Sequence, residues 1–187
     1  NDVLPRATAF RLLLANDQDQ YTEELLKMLN DGNSADARWA AARALRNRNE
    51  MKMKPLRNHI EGQFISSLVD IASDPNVYMD TRWEAIQALA SFQQQKNLAA
   101  DHLGKLLIND KDQTLRRFYL EALIKLDQPT ESQTALLTAI EDADAQIRLD
   151  AANALKKMLG AEKSIQLLLP RALERDQDTA LLVDGLR

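Results

Sequence analysis

Two tryptophans and a group of arginines are the residues of this chain best suited to recognition chemistry. Trp39 is followed at helical spacing by Arg43, and Trp83 stands 44 residues after Trp39. Trp and Arg dominate the energetic centres of protein interfaces. A broad rigid ring and a planar cation with five donors each gain much contact for little lost freedom. Other chemistries have few residues to draw on. The chain has no Cys, which excludes disulfides, thiolate-held metals and thiol catalysis. His59 and His102 are the two histidines, and neither has a second ligand at helical spacing, so no metal is expected. The aspartates fall at cap and turn positions and form no Asp-x-Asp-x-Asp-Gly calcium loop. The five glycines are scattered, with no phosphate-cradling cluster, and no Ser, His and Asp grouping suggests a nucleophile. The expectation is a non-enzyme with no cofactor.

Composition narrows the field further. The 187 residues suffice for one good-sized domain, and the formal net charge is -4. That balance argues against general binding to nucleic acid, which needs a basic excess. No apolar run approaches the roughly 18 residues of a membrane span. The chain begins at Asn1 with no signal-like apolar core over residues 1–10. Compartment is left open between cytoplasmic and periplasmic.

The elements that must position these residues repeat along the chain. An Arg is followed seven residues later by a Leu at Arg6, Arg38, Arg82, Arg116 and Arg148. The spacings between the arginines are 32, 44, 34 and 32 residues. A weaker sixth copy has Thr179 in the Arg column and Leu186 in the Leu column. Four residues before the Arg stand Asp2, Ser34, Asp112 and Asp144, which read as helix N-caps. Columns at −1, +3, +6 and +7 are apolar and form one helical stripe, rich in Ala, so that a second helix can approach closely. That second helix precedes each Arg-bearing one, as in Gln63–Ala72, Ala99–Ile108 and Glu131–Glu141. Thr130 and Gln133 read as a capping box, and Pro170 is expected to kink or split its helix. In the longer segment before Arg82, Tyr78 occupies the cap place and Asp80 is the expected substitute cap. No segment alternates with the period of a strand. A period in the low thirties with two helices per copy reads as an all-α solenoid, a single repeat domain over 1–187. It starts on a half-repeat, so an upstream domain in a longer chain is expected.

With these columns laid out, the chain resembles the HEAT repeat family, and in particular its phycobilisome-lyase-type repeats. Arg38-Trp-Ala-Ala-Ala-Arg-Ala-Leu45, Arg82-Trp-Glu-Ala-Ile-Gln-Ala-Leu89 and Arg148-Leu-Asp-Ala-Ala-Asn-Ala-Leu155 carry the resemblance. It implies a right-handed α-solenoid of about five helical hairpins, with second helices on the concave side. It also implies a ladder of hydrogen bonds tying repeat to repeat through the Asp and Arg columns. That role is carried onto Asp112 with Arg116, Asp144 with Arg148 and, further out, Asp2 with Arg6.

On a concave face, the +1 and +5 columns would point into the groove. They place Trp39, Trp83 and Arg117 beside Arg43, Gln87 and Glu121. The functional reading is a ledge for a protein or peptide partner. The plainer reading, weighed slightly higher, is that each Trp closes the seam to the next repeat. The long spacing before Arg82 leaves an insertion read as a basic loop, with Arg46, Arg48, Lys52, Lys54 and Arg57 as a secondary contact. A merely solvated loop is the commoner meaning of such a run. The function that follows is a protein-interaction scaffold. The alternatives are a chromophore or prosthetic-group lyase, a regulatory domain of a larger and haem-bearing extracytoplasmic protein, and, last, a DNA-binding solenoid.

Overall fold

The computed structural model describes residues 19–51, 56–126 and 129–174. They form α1 (Asp19–Leu29), α2 (Ala35–Glu50), α3 (Asn58–Ser73), α4 (Met79–Leu89), α5 (Lys96–Asn109), α6 (Gln113–Leu126), α7 (Pro129–Ala139), α8 (Ala145–Leu159) and α9 (Ala161–Glu174). No strand occurs among the described residues. The architecture is an all-α array of helical hairpins. The copies led by Arg6 and Thr179, and with them Asp2, lie outside the described residues.

Local chemistry explains where the helices start. Ser34 caps α2, its Oγ accepting from the amide of Ala37 at 3.1 Å. Asp112 accepts from the amides of Thr114 and Leu115 at the head of α6, and Asp144 from those of Gln146 and Ile147 at the head of α8. Each such cap stabilises its helix by about 1 kcal/mol. Tyr78 precedes α4 but gives no side-chain cap. Asp80 lies inside the first turn of α4, so it acts on the helix dipole and is not the cap. α7 begins at Pro129, a favoured first-turn residue, which places Thr130 within the helix. α9 continues through position 170 to Glu174, so Pro170 does not split it. Gly160 ends α8 with φ +82°, a conformation that costs an ordinary L-residue about 1 kcal/mol or more.

The largest correction concerns the insertion before Arg82. Much of it is helix. α2 runs on to Glu50 and α3 begins at Asn58, so Arg46 and Arg48 are helical residues, not loop residues. Their segment is rich in strong helix formers and lacks Gly or Pro until Pro55. Arg57 is exposed just before α3, and Lys52 and Lys54 lie outside the described residues.

The chain divides into two compact units, Asn1–Leu103 and Gly104–Arg187. In the first, α1 packs on α2 and α3, α3 packs on α4, and α2 packs on α4. First helices therefore stack on first helices and second on second, which is the local logic of a solenoid. Leu25, Leu45, Phe64, Ile65, Leu68, Ile86 and Leu89 are fully buried there. Each such large apolar side chain contributes about 1.5–3 kcal/mol. The alanine columns Ala40, Ala41, Ala44, Ala85 and Ala88 are also fully covered, and they let α2 and α4 approach closely.

In the second unit α8 packs on α6, α7 and α9. Leu115, Tyr119, Leu123, Leu136, Ile147 and Leu155 form its interior. Tyr119 fills the place of an alanine, and its hydroxyl donates to Asp110 at 3.1 Å. Gly104 sits where α5 meets α7: a Cβ there would come 3.0 Å from the Cβ of Ala135. Gly104→Leu is therefore expected to destabilise the chain by about 1–3 kcal/mol through overpacking. This exceeds the gain of about 1 kcal/mol in helix propensity. Chemical denaturation read by circular dichroism checks it, and an unchanged or raised midpoint would refute the close α5–α7 approach.

Candidate protein-docking site

The Arg column has the same task in all four described hairpins. Arg38 Nε donates to the carbonyl of Asp31 at 2.8 Å, and Arg82 Nε to that of Ala72 at 2.8 Å. Arg116 Nη1 reaches the carbonyls of Asp110 and Lys111, and Arg148 Nη1 those of Asp142 and Ala143. Ala72 lies in the last turn of α3, and the other carbonyls lie in the turn just past the first helix, at the negative end of its dipole. A guanidinium from the second helix supplies donors and positive charge at that place. The column is thus a clamp that closes each hairpin.

The ties from repeat to repeat run elsewhere. Arg116 makes a two-pronged pair with Asp142, at 2.7 and 3.0 Å. Arg117 and Gln113 both bond the cap residue Asp144. Sequence reasoning paired Asp112 with Arg116 and Asp144 with Arg148. In the structure the cross-repeat partners are Arg116 with Asp142 and Arg117 with Asp144, because the turn before α8 lies beside the head of α6. Asp112 and Asp144 cap their own helices. Asp142 had been read only as turn surface.

The two tryptophans fall on neighbouring second helices of the first unit. Both are half-buried. The guanidinium carbon of Arg43 lies 4.9 Å from the Trp39 ring centroid, and that of Arg46 lies 5.4 Å from the Trp83 ring. Both are cation–π distances. Trp39, Arg43 and Arg46 share one face of α2 by their spacing, and Arg46 carries that face across to α4. Its Nε lies 3.0 Å from Glu84 Oε1, a carboxylate only 1 % exposed. Neither atom makes a well-angled hydrogen bond, so charge alone holds them. Sequence reasoning missed this pair. Its signal was the +8 column, where Arg46 stands one turn past Arg43.

Other expected contacts fare differently. Gln87 is only 7 % exposed, because α4 is covered by α2 and α3 and nearly every residue of it is buried. It is not an exposed contact. Arg48, at 2 %, is buried as well and presents no basic surface. Glu121 is exposed, and Arg117 is exposed but committed to Asp144.

Titration differs between the two units. Burial pushes the Glu84 carboxyl above its usual range, against the lowering charges of Arg46 and Arg43. Burial does the same at Glu61, opposed by Arg48 and a backbone bond to Leu56. Burial also acts upward on Asp142 in the second unit. There the bonds from Arg116 and from the Asp144 amide outweigh it and hold the carboxyl low.

A raised folded pKa means the folded state takes up the proton first. Its stabilising contribution is complete below the usual 4.5 and is lost as pH rises through the folded value. A lowered one contributes above the usual 3.8 and is lost as pH falls through the folded value. Glu84→Gln should therefore raise the melting temperature, relative to the native chain, more at pH 7 than at pH 4.5. Asp142→Asn should lower it at pH 7 and lose that effect below pH 3.8. Melting curves across this range check both, and differences independent of pH would contradict them.

Among the described residues no group of three His, Asp or Glu is placed to hold a metal, and no helix is long and apolar enough to cross a membrane. A cleft of about 460 Å³ opens in the second unit between the α5–α6 and α7–α8 turns, lined in part by Asp110, Arg116, Glu141 and Asp142. The Arg116–Asp142 pair occupies its charged wall.

A family model for HEAT repeats matches residues 100–186. No curated protein and no solved structure matches the chain. The match is to HEAT repeats in general and does not single out the phycobilisome-lyase type. HEAT repeats generally mediate interactions between proteins. The paired-helix packing and this match agree: residues 100–186 are similar to HEAT repeats.

Proposed function

We propose that this chain is a non-catalytic docking module that binds a protein or peptide partner on the second-helix face of its first unit. One observation carries the reading. Trp39 and Trp83 stand on packed neighbours α2 and α4, each half-buried and each covered on one side by an arginine. A ring of this kind packs with one edge and presents the other, so the seam role and the binding role are compatible. Arginine stacking holds the rings in place before a partner arrives, which lowers the ordering cost of binding. Nucleic acid is not the partner in this proposal, given the net charge of -4.

The test uses the full chain. Peptides are selected on it from a random phage-displayed library, and their binding is measured on variants. Trp39→Leu keeps an apolar stem and removes the ring. It is expected to weaken binding by roughly 30-fold, the loss typical of an interface hot spot, while melting shifts only a few degrees. Full binding combined with a collapsed melting temperature would place the ring in the seam alone and sink the proposal.

A further inference from the structure

We infer that the α2–α4 face takes a carboxylate side chain of its partner on Arg43, so that the partner segment is acidic and aliphatic. This rests on the docking reading above and adds the chemistry of the occupant. Among the described residues, the other arginines of this face and of the clamps are already committed. Arg38, Arg82, Arg116 and Arg148 hold carbonyls, Arg46 holds Glu84 and Arg117 holds Asp144. Arg43 differs. Among the described residues its close contact is the face of Trp39, 4.9 Å away, and the Glu84 carboxylate feels its charge only from farther off. It is also only half-buried, so solvent reaches it.

Stacking on a ring fixes the plane of a guanidinium while leaving its edge donors free. A fixed fork of donors matches a carboxylate in two-pronged fashion and loses little entropy on binding. The charges nearby point the same way. Arg43 and Arg46 both act on the buried carboxylate of Glu84, and Arg46 lies directly against it. One cation remains. Glu50, whose charge also reaches Glu84, lies seven residues beyond Arg43 on α2, about 10 Å along the helix axis. The surplus therefore suits one carboxylate rather than a chain of phosphates. Beside it the indoles of Trp39 and Trp83 offer apolar surface for the residues flanking that carboxylate.

The experiment again selects random phage-displayed peptides on the full chain. The expected result is enrichment of Asp or Glu beside aliphatic residues. A synthesised peptide of that kind should bind Arg43→Gln about 10-fold or more weakly, a loss typical of a hydrogen-bonded charge. Arg43→Lys should recover part of this. Changing the peptide's acid to its amide should then have no further effect on Arg43→Gln, because the two changes remove one interaction. Trp39 and Trp83 are the chain's two tryptophans, so intrinsic emission reports binding at this face. Melting curves confirm that the Arg43 variants stay folded.

Peptides that perturb the tryptophans yet show no acidic enrichment, or no coupling to Arg43, would overturn the acidic partner and leave the docking reading standing. Recovery of no peptide at all would overturn both.

Discussion

Each described hairpin depends on one interaction: an arginine near the head of its second helix that bonds carbonyls in or beside the turn that follows its first. The first helix stops in a short turn, and the carbonyls there need donors. Water could supply them, but the turn is partly covered, and at Arg82 the bond to Ala72 is buried. The arginine fixes how the second helix leaves the turn, and so which stripe of that helix faces inward. The alanine and leucine columns can form a core only once that direction is set. The polar column thus governs the apolar ones, although nearly all the burial energy lies in the latter.

Second-helix packing differs between the two units. Between α2 and α4 it is close, built on fully covered alanines, with a charged patch at its edge where Arg46 meets Glu84. A buried ion pair of this kind loses most of its attraction to desolvation, which agrees with the raised Glu84 carboxyl. Between α6 and α8 the polar ties lie at the helix heads, where Arg116 meets Asp142 and Arg117 meets Asp144. These carboxylates accept backbone amides as well, which stabilises their charge. Acid therefore acts on the two interfaces in opposite senses.

Much of this was legible in the sequence. The hairpin periodicity, the caps Ser34, Asp112 and Asp144, and the apolar stripes follow from local rules about helix ends and faces. The partners of the arginines were not legible. Spacing shows that Arg116 and Asp112 are one turn apart, but only packing shows that Asp142 of the next turn comes closer. The basic insertion was misread for a related reason. A run of charges suggests solvent, yet Arg46 and Arg48 continue a helix whose inner face requires them to cross or enter the core. Gln87 failed as an exposed contact because a five-residue offset on a well-covered helix still points inward. Trp39 and Trp83 were found by residue type, while their arginine covers needed three dimensions.

The clamp also bears on how such an array changes length. Its donor and acceptors belong to the same hairpin, so a duplicated or deleted hairpin carries its own closure with it. The Arg116–Asp142 tie has no such independence, because its halves sit in successive copies. Insertion between them would separate a matched pair and demand a new one. Gains and losses of whole repeats are therefore tolerated most easily at seams held by apolar contact, and ionic seams resist them.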